Sequence, residues 1–276
     1  MDGNKQVLPI LAGGGTRLPA HVGILKGLED LNLSFDHLVG VSGGSIVAAL
    51  YAAGKPLQEL YTLALETKFN QFLGQSLITL ISKGGLSTGK VFEEWVDDQL
   101  RGICFKDLDT NLYIVASDVA TGEPVVFSKQ ESPDLKVSKA VRFSMSIPII
   151  FSFNEYQDRI LVDGSILSED ALLRDWVGDG TPAICFRLRS SASGERYSKS
   201  SIPIVNYLTL LIRSFMTTMS REYVHDEFWH NTVVIETGDT SPITFNLSQQ
   251  QKEALYEIGY RTTVEVVPNK VLFHSS

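Results

Sequence analysis

The sequence is short of several things that would have pointed elsewhere. Its 276 residues hold two cysteines, Cys104 and Cys185. They are too far apart for thiolate metal-ligand spacing, and each lies in or beside an apolar run, so they read as core filling in a reducing compartment. No apolar stretch reaches the roughly 20 residues that cross a bilayer. The nearest, Ile202 to Met216, is interrupted by Asn206 and Arg213 and reads as an amphipathic or core helix. Positive charge is in the minority, with 24 Lys and Arg against 32 Asp and Glu and a formal net charge of -8. Such a balance repels phosphate backbones, which argues against a nucleic-acid partner, and gives no simple electrostatic attachment to anionic membranes. The N-terminus carries one lysine and a short apolar run broken by Pro9 and glycines, unlike a secretory leader. The expectation is a cytoplasmic protein with at most peripheral contact to membranes.

What is present is a hydrophobic content of 43%, ample for a buried core, with neither an internal repeat nor a linker composition. One domain over residues 1–276 is therefore expected. Gln6 to Ala12 is a short apolar run that ends in three glycines, and the segment after it has Val22, Leu25, Leu28 and Leu31 at helical spacing. His37 to Val41 is a second apolar run, followed by Ser42 and an Ala-rich helical stretch stopped at Gly54. Two consecutive strand, turn and helix units imply a parallel sheet with right-handed crossovers, with ligands beyond the carboxyl ends of the strands.

Further on, the sequence predicts a helix opening at Pro56 and running to about Phe72, and another over Thr88 to Leu100 with Val91, Trp95 and Val96 on one side. A hairpin of Asn111–Asp118 with Glu123–Ser128 makes the sheet mixed. A helix over 136–146 ended by Pro148, strands at Arg159–Gly164 and Ala183–Arg189, a long helix around Val205–Phe228, a strand at Thr232–Thr237 and a closing helix from Ser248 complete the pass. The polar, Ser-rich stretch Ser190 to Ser200 reads as a mobile loop, with a role in substrate access as the lesser alternative.

The chemistry gathers at two glycine-rich turns. Gly40-Val41-Ser42-Gly43-Gly44 fits G-x-S-x-G, a sharp strand-to-helix turn that exposes a serine hydroxyl at a helix N-terminus, where amides and the helix dipole favour developing negative charge. The other turn, Gly13-Gly14-Gly15-Thr16-Arg17-Leu18, has amides free to face a substrate oxygen. It forms neither G-x-x-x-x-G-K-[ST] nor G-x-G-x-x-G, because Leu18 takes the last glycine position of the latter. A base for Ser42 has two sources. His225, His230 and His274 are in the chain order of a Ser-His-Asp enzyme but in contexts without a catalytic signature. Asp163, in Leu161-Val162-Asp163-Gly164-Ser165, follows an apolar run at a strand end, where partial burial raises the basicity of a carboxylate.

Taken together these residues resemble the patatin-like phospholipase family, serine acyl hydrolases with a Ser-Asp dyad. The glycine turn matches the family's G-G-G-x-R/K-G except at Leu18, the serine motif matches fully, and Asp163-Gly164-Ser165 matches D-G-G/A at two of three positions. The likeness extends from Gln6 to about Thr237. It implies a three-layer α/β/α sandwich with a mainly parallel, mixed central sheet. It also implies Ser42 as nucleophile and Asp163 as base, with oxyanion amides from Gly13, Gly14, Gly15, Thr16 and Arg17 together with Gly43. Arg17 would add positive charge near the oxyanion or a lipid phosphate, and Ser165 could hydrogen-bond Asp163. No metal or organic cofactor is implied. The expected substrate is a phospholipid or lysophospholipid ester, with Phe143–Phe151 and Phe69–Ile81 as segments able to line an acyl groove or simply to fill the core. A membrane surface would be met transiently, and a protein activator is a further expected partner. The rival readings are a silent lipid- or partner-binding module, favoured by Leu18, and an esterase, thioesterase or acyltransferase on the same dyad.

Overall fold

The computed structural model of the chain describes residues 6–74, 76–166, 174–191 and 226–273, together with 207, 210, 211 and 214. The two opening units form as their patterns dictate. Strand β1 (Leu8–Ala12) leads through the glycine turn into helix α1 (Leu18–Asp30), and β2 (His37–Val41) leads through Ser42 into α2 (Gly43–Ala52). There follow α3 (Leu57–Glu66), α4 (Leu77–Lys83), β3 (Gly85–Ser87), α5 (Lys90–Leu100), β4 (Asn111–Asp118) and β5 (Pro124–Phe127). Next come α6 (Val137–Ser144), β6 (Ile149–Phe151), β7 (Asn154–Tyr156) and β8 (Arg159–Asp163). The described chain closes with β9 (Ala183–Arg189), β10 (Thr232–Glu236) and α7 (Gln249–Phe273).

The main sheet runs β10-β9-β1-β2-β4-β8-β7, with β5 paired to β4. From β10 to β4 every pairing is parallel, whereas β5 and β8 on β4, and β7 on β8, are antiparallel. Alternate residues of each strand face opposite sides. Leu11, Leu38, Leu112, Ile114, Ile184 and Phe186 join the large core shared with the helices. Leu8, Ile10, Val39, Val41, Val115 and Cys185 face the other side, where Trp176 and Val177 pack on them. Cys185 is thus core, its thiol pKa pushed up to about 12 by burial, while Cys104 is only half-buried.

Helix α1 lies against α7 at unusually close range, since a Cβ on Gly23 would meet Tyr256 O at 2.2 Å and one on Gly259 would meet Ala20 O at 2.2 Å. Two expectations need correction. The helix opening after Pro56 stops at Glu66, not Phe72, because Thr67 is extended and the buried Lys252 ammonium of α7 donates to Leu65 O and Thr67 O, capping the helix with a cation. Residues 69–72 form a separate 3-10 turn. The inner face of α5 is Phe92, Val96 and Leu100, and Val91 is exposed. The stretch 192–200 and nearly all of the helix expected around Val205–Phe228 lie outside the described residues, and Asp226–Asn231 is a 3-10 helix leading into β10.

Candidate active site

The turn after β2 stores the strain that its sequence announces. Ser42 sits at φ 53° and ψ -129°, a region that a residue with a Cβ adopts only when its surroundings hold it there. Close approach explains the glycines around it. A Cβ on Gly44 would lie 2.1 Å from Leu11 O, and one on Gly43 would lie 2.3 Å from Gly15 O. The turn is anchored from both sides, by Gly44 N donating to Gly13 O at 2.8 Å and by Ser42 N donating to Ser144 Oγ at 2.8 Å.

Sheet register brings the carboxylate to the hydroxyl. On β4, Val115 is the partner of Val41 and Ala116 is the partner of Asp163, so adjacent β4 positions hold the residue before Ser42 and Asp163 itself. Ser42 Oγ donates to Asp163 Oδ2 at 2.7 Å. Ser165 donates to Asp163 Oδ1 through its backbone N at 2.8 Å and also through its hydroxyl. Both Ser42 and Asp163 are fully buried. Burial pushes the Asp163 carboxyl above the usual aspartate range, against the hydrogen bonds from Ser165 and Ser42 that pull it down. Desolvation wins, and a carboxylate so raised is a stronger base than a solvated one.

The glycine turn divides the expected oxyanion donors. Gly13 N donates to Val41 O, Thr16 N to Pro242 O and Arg17 N to Gly14 O, so these three amides are committed to the fold. Among the described residues, the amides of Gly14, Gly15 and Gly43 have no hydrogen-bond partner, although all three residues are buried. Buried amides are nearly always paired, and here the unpaired ones belong to the two turns that meet beside Ser42. Leu18 does not disturb the turn: it opens α1, lies in the core, and follows Arg17 at an ordinary φ of -85°.

Arg17 corrects the expectation of a charge near substrate. Its side chain is fully buried and donates to Gly14 O, Thr237 Oγ1, Thr240 O and Leu188 O. Burial lowers its pKa to about 9, which leaves it a cation at neutral pH. Its fork ties the glycine turn to the ends of β9 and β10, so its work is structural.

Three neighbours of the site escaped the sequence reading. His21 is buried, with Nε2 3.0 Å from Gly13 O. A carbonyl only accepts, so Nε2 carries the proton, and Nδ1 is left without a partner. Burial, with a smaller contribution from Arg17, lowers its pKa to about 4, so it is neutral. A polar residue in step with Leu18, Leu25 and Leu28 on the inner face of α1 was the available signal. Ser144 accepts from Ser42 N and donates to Val115 O, and Met145 Sδ lies 3.7 Å from Ser42 Oγ. No spacing in the sequence links either to Ser42. His230 is exposed, whereas His225 and His274 lie outside the described residues. Among the described residues Ser42 Oγ meets no imidazole.

Known proteins resemble this chain in sequence and in fold. The model of the family described as patatin-like phospholipase matches residues 10–176. An uncharacterised protein, R571, of Acanthamoeba polyphaga mimivirus is 27% identical over 93% of this chain and 92% of its own length. A probable lipid hydrolase, 463L, of Invertebrate iridescent virus 6 is 26% identical over 57% of this chain and 59% of its own. In three dimensions the chain is similar to VipD of Legionella pneumophila, with a TM-score of 0.63 at 14% identity, covering 98% of this chain and 67% of that one. This likeness concerns the α/β fold, a mixed central sheet with flanking helices.

Proposed function

From the premise that this chain belongs to the patatin-like phospholipase family, we propose that it is a serine lipid acyl hydrolase that cleaves fatty acyl esters of phospholipids or lysophospholipids through Ser42 and Asp163. The observation that carries this reading is the 2.7 Å hydrogen bond from Ser42 Oγ to Asp163 Oδ2, beside turns whose Gly14, Gly15 and Gly43 amides are free. As Ser42 Oγ attacks the ester carbonyl carbon, its proton passes to Asp163 Oδ2. The carbonyl oxygen takes up the electron pair and is met by the amides of Gly14 and Gly15 in the glycine turn and of Gly43 at the N-terminus of α2. Collapse of the tetrahedral adduct expels the alcohol, which receives the proton from Asp163. Water, deprotonated by the same carboxylate, then releases the fatty acid and restores Ser42.

The raised basicity of Asp163 suits this work, since it must accept a proton near neutral pH. Fold and site together also require movement. With Ser42 fully enclosed and Met145 over its hydroxyl, an ester reaches Oγ only when covering side chains give way.

The test is labelling with a fluorophosphonate probe and fatty-acid release from a panel of phospholipids and lysophospholipids. Wild type labels and releases fatty acid. Ser42→Ala does neither, with release down by at least about 1000-fold, and Asp163→Asn loses release. Folded wild type that neither labels nor releases fatty acid would refute the proposal. Retained turnover in Asp163→Asn with loss on His230→Ala would replace the dyad by a histidine-based triad.

A further inference from the structure

Between Phe72 and Ser87 the chain leaves the core and returns. The excursion is pinned at its neck by Ser76 N donating to Leu86 O at 3.3 Å and by Ser87 Oγ donating to Phe72 O at 3.0 Å. Its outer part is α4, begun by Ser76, whose Oγ accepts from Thr79 N, and ended by Gly84 in the left-handed region at φ 72°. Ile78 and Ile81, three residues apart and so neighbours on one face of the helix, are 80% and 87% exposed, so this end of the Phe69–Ile81 segment neither lines an acyl groove nor fills the core, against the expectation from sequence. Phe153, 40% exposed, has its ring 2.9 Å from where a Cβ on Gly84 would stand, which extends the apolar surface past the helix end. Two isoleucines held in water on a pinned helix contribute little to folding, and a contiguous exposed apolar patch marks an interaction site.

Charge narrows the choice of partner. Residues 67–92 contain no Asp or Glu and carry Lys68, Lys83 and Lys90, in a chain whose formal net charge is -8. Lys83 lies in the last turn of α4 itself, two residues from Ile81, and a cation beside isoleucines suits a surface that is apolar below and anionic above, the order of a lipid interface. The patch is also joined to the site. Strand β3 pairs with β6, and the buried Arg142 of α6 donates to Thr88 O, Ser152 O and Ser146 Oγ. The same α6 ends at Ser144, which holds Ser42 N, and is followed by Met145, which covers Ser42 Oγ.

We propose that the α4 face, with Ile78 and Ile81 at its centre and Phe153 beside them, docks on the surface of a lipid bilayer containing anionic lipid. The inference takes its partner from the lipid-directed reading of the Ser42 site, and its test is arranged so that the two stand or fall separately. Flotation with phosphatidylcholine vesicles, with and without phosphatidylglycerol, is measured on Ser42→Ala so that the vesicles stay intact. The same is done for Ser42→Ala carrying Ile78→Asp and Ile81→Asp. The expected result is binding strengthened by phosphatidylglycerol and weakened by at least about tenfold in the Asp variant, in line with the apolar area withdrawn from the interface. In parallel, Ile78→Asp/Ile81→Asp with Ser42 intact hydrolyses a soluble short-chain ester at the wild-type rate, which reports an intact fold and site. Equal vesicle binding with and without the Asp substitutions overturns the proposal. So does self-association of the protein, abolished by those substitutions, in place of vesicle binding, since a second copy would then be the occupant. Absence of ester hydrolysis by wild type, with vesicle binding as expected, would count against the hydrolase and leave the docking surface standing.

Discussion

Burial and hydrogen bonding act in opposite directions on Asp163, and their balance is measurable. The proposed mechanism needs the ionised carboxylate, so activity should fall on the acid side through an ionisation above the ordinary aspartate value. Ser165→Ala removes a hydroxyl that donates to the charged form, so the acid limb of the kcat/KM profile should move to higher pH, while a profile that does not move would show Ser165 to be passive. The same burial bears on stability. Because the folded-state pKa lies above the unfolded one, the native protein binds the proton more tightly, and stability declines as pH rises from the unfolded value through the folded value. Thermal midpoints of Asp163→Asn should lack this decline and exceed those of wild type at neutral pH, because an amide keeps a donor toward Ser42 and an acceptor toward Ser165 without a buried charge.

At the scale of elements, the site depends on how closely its two helices approach the sheet and each other. Helix α1 begins at the glycine turn, and α7 presses on it where Gly259 leaves no room for a side chain. Gly259→Leu forces the helices apart and should destabilise the fold by about 1–3 kcal/mol, read as a lower urea midpoint. If the displacement reaches the glycine turn, phosphonate labelling of Ser42 slows as well. Within these elements the sequence was informative wherever one local pattern decided the outcome. The β4–β5 hairpin and strand β9 form where the alternation and turn residues put them. The end of α3 was not legible, because Lys252, some 185 residues away in sequence, supplies its cap. The inner face of α5 was misread because Val91 and Phe92 are both apolar, and only packing against Phe72 and Phe151 selects Phe92.

For the whole molecule, one large core joins the helices to one face of the sheet, while the α4 excursion stands outside it. Hydrogen exchange should therefore be slowest in β1, β2, β4 and β9 and fastest in α4 and β3, with the central strands opening only in global unfolding. A single urea transition by both fluorescence and circular dichroism would agree with one domain over the described chain. Two separated transitions would divide it. No helix among the described residues is long and apolar enough to cross a membrane.

Taken alone, the sequence determined the strand, turn and helix units, the need for glycine around Ser42, and the candidacy of Ser42 and Asp163. All of these follow from backbone sterics and local periodicity, which act over a few residues. Tertiary structure decided the rest. The register of β4 sets the distance between Ser42 and Asp163, and the amides of Gly13, Thr16 and Arg17 are spent on Val41, Pro242 and Gly14. The Arg17 charge turns inward, and His21 and Ser144 brace the two turns. Each of these is a hydrogen bond or a desolvation set largely by groups on other elements, and a linear pattern does not encode which partner a buried polar group will find.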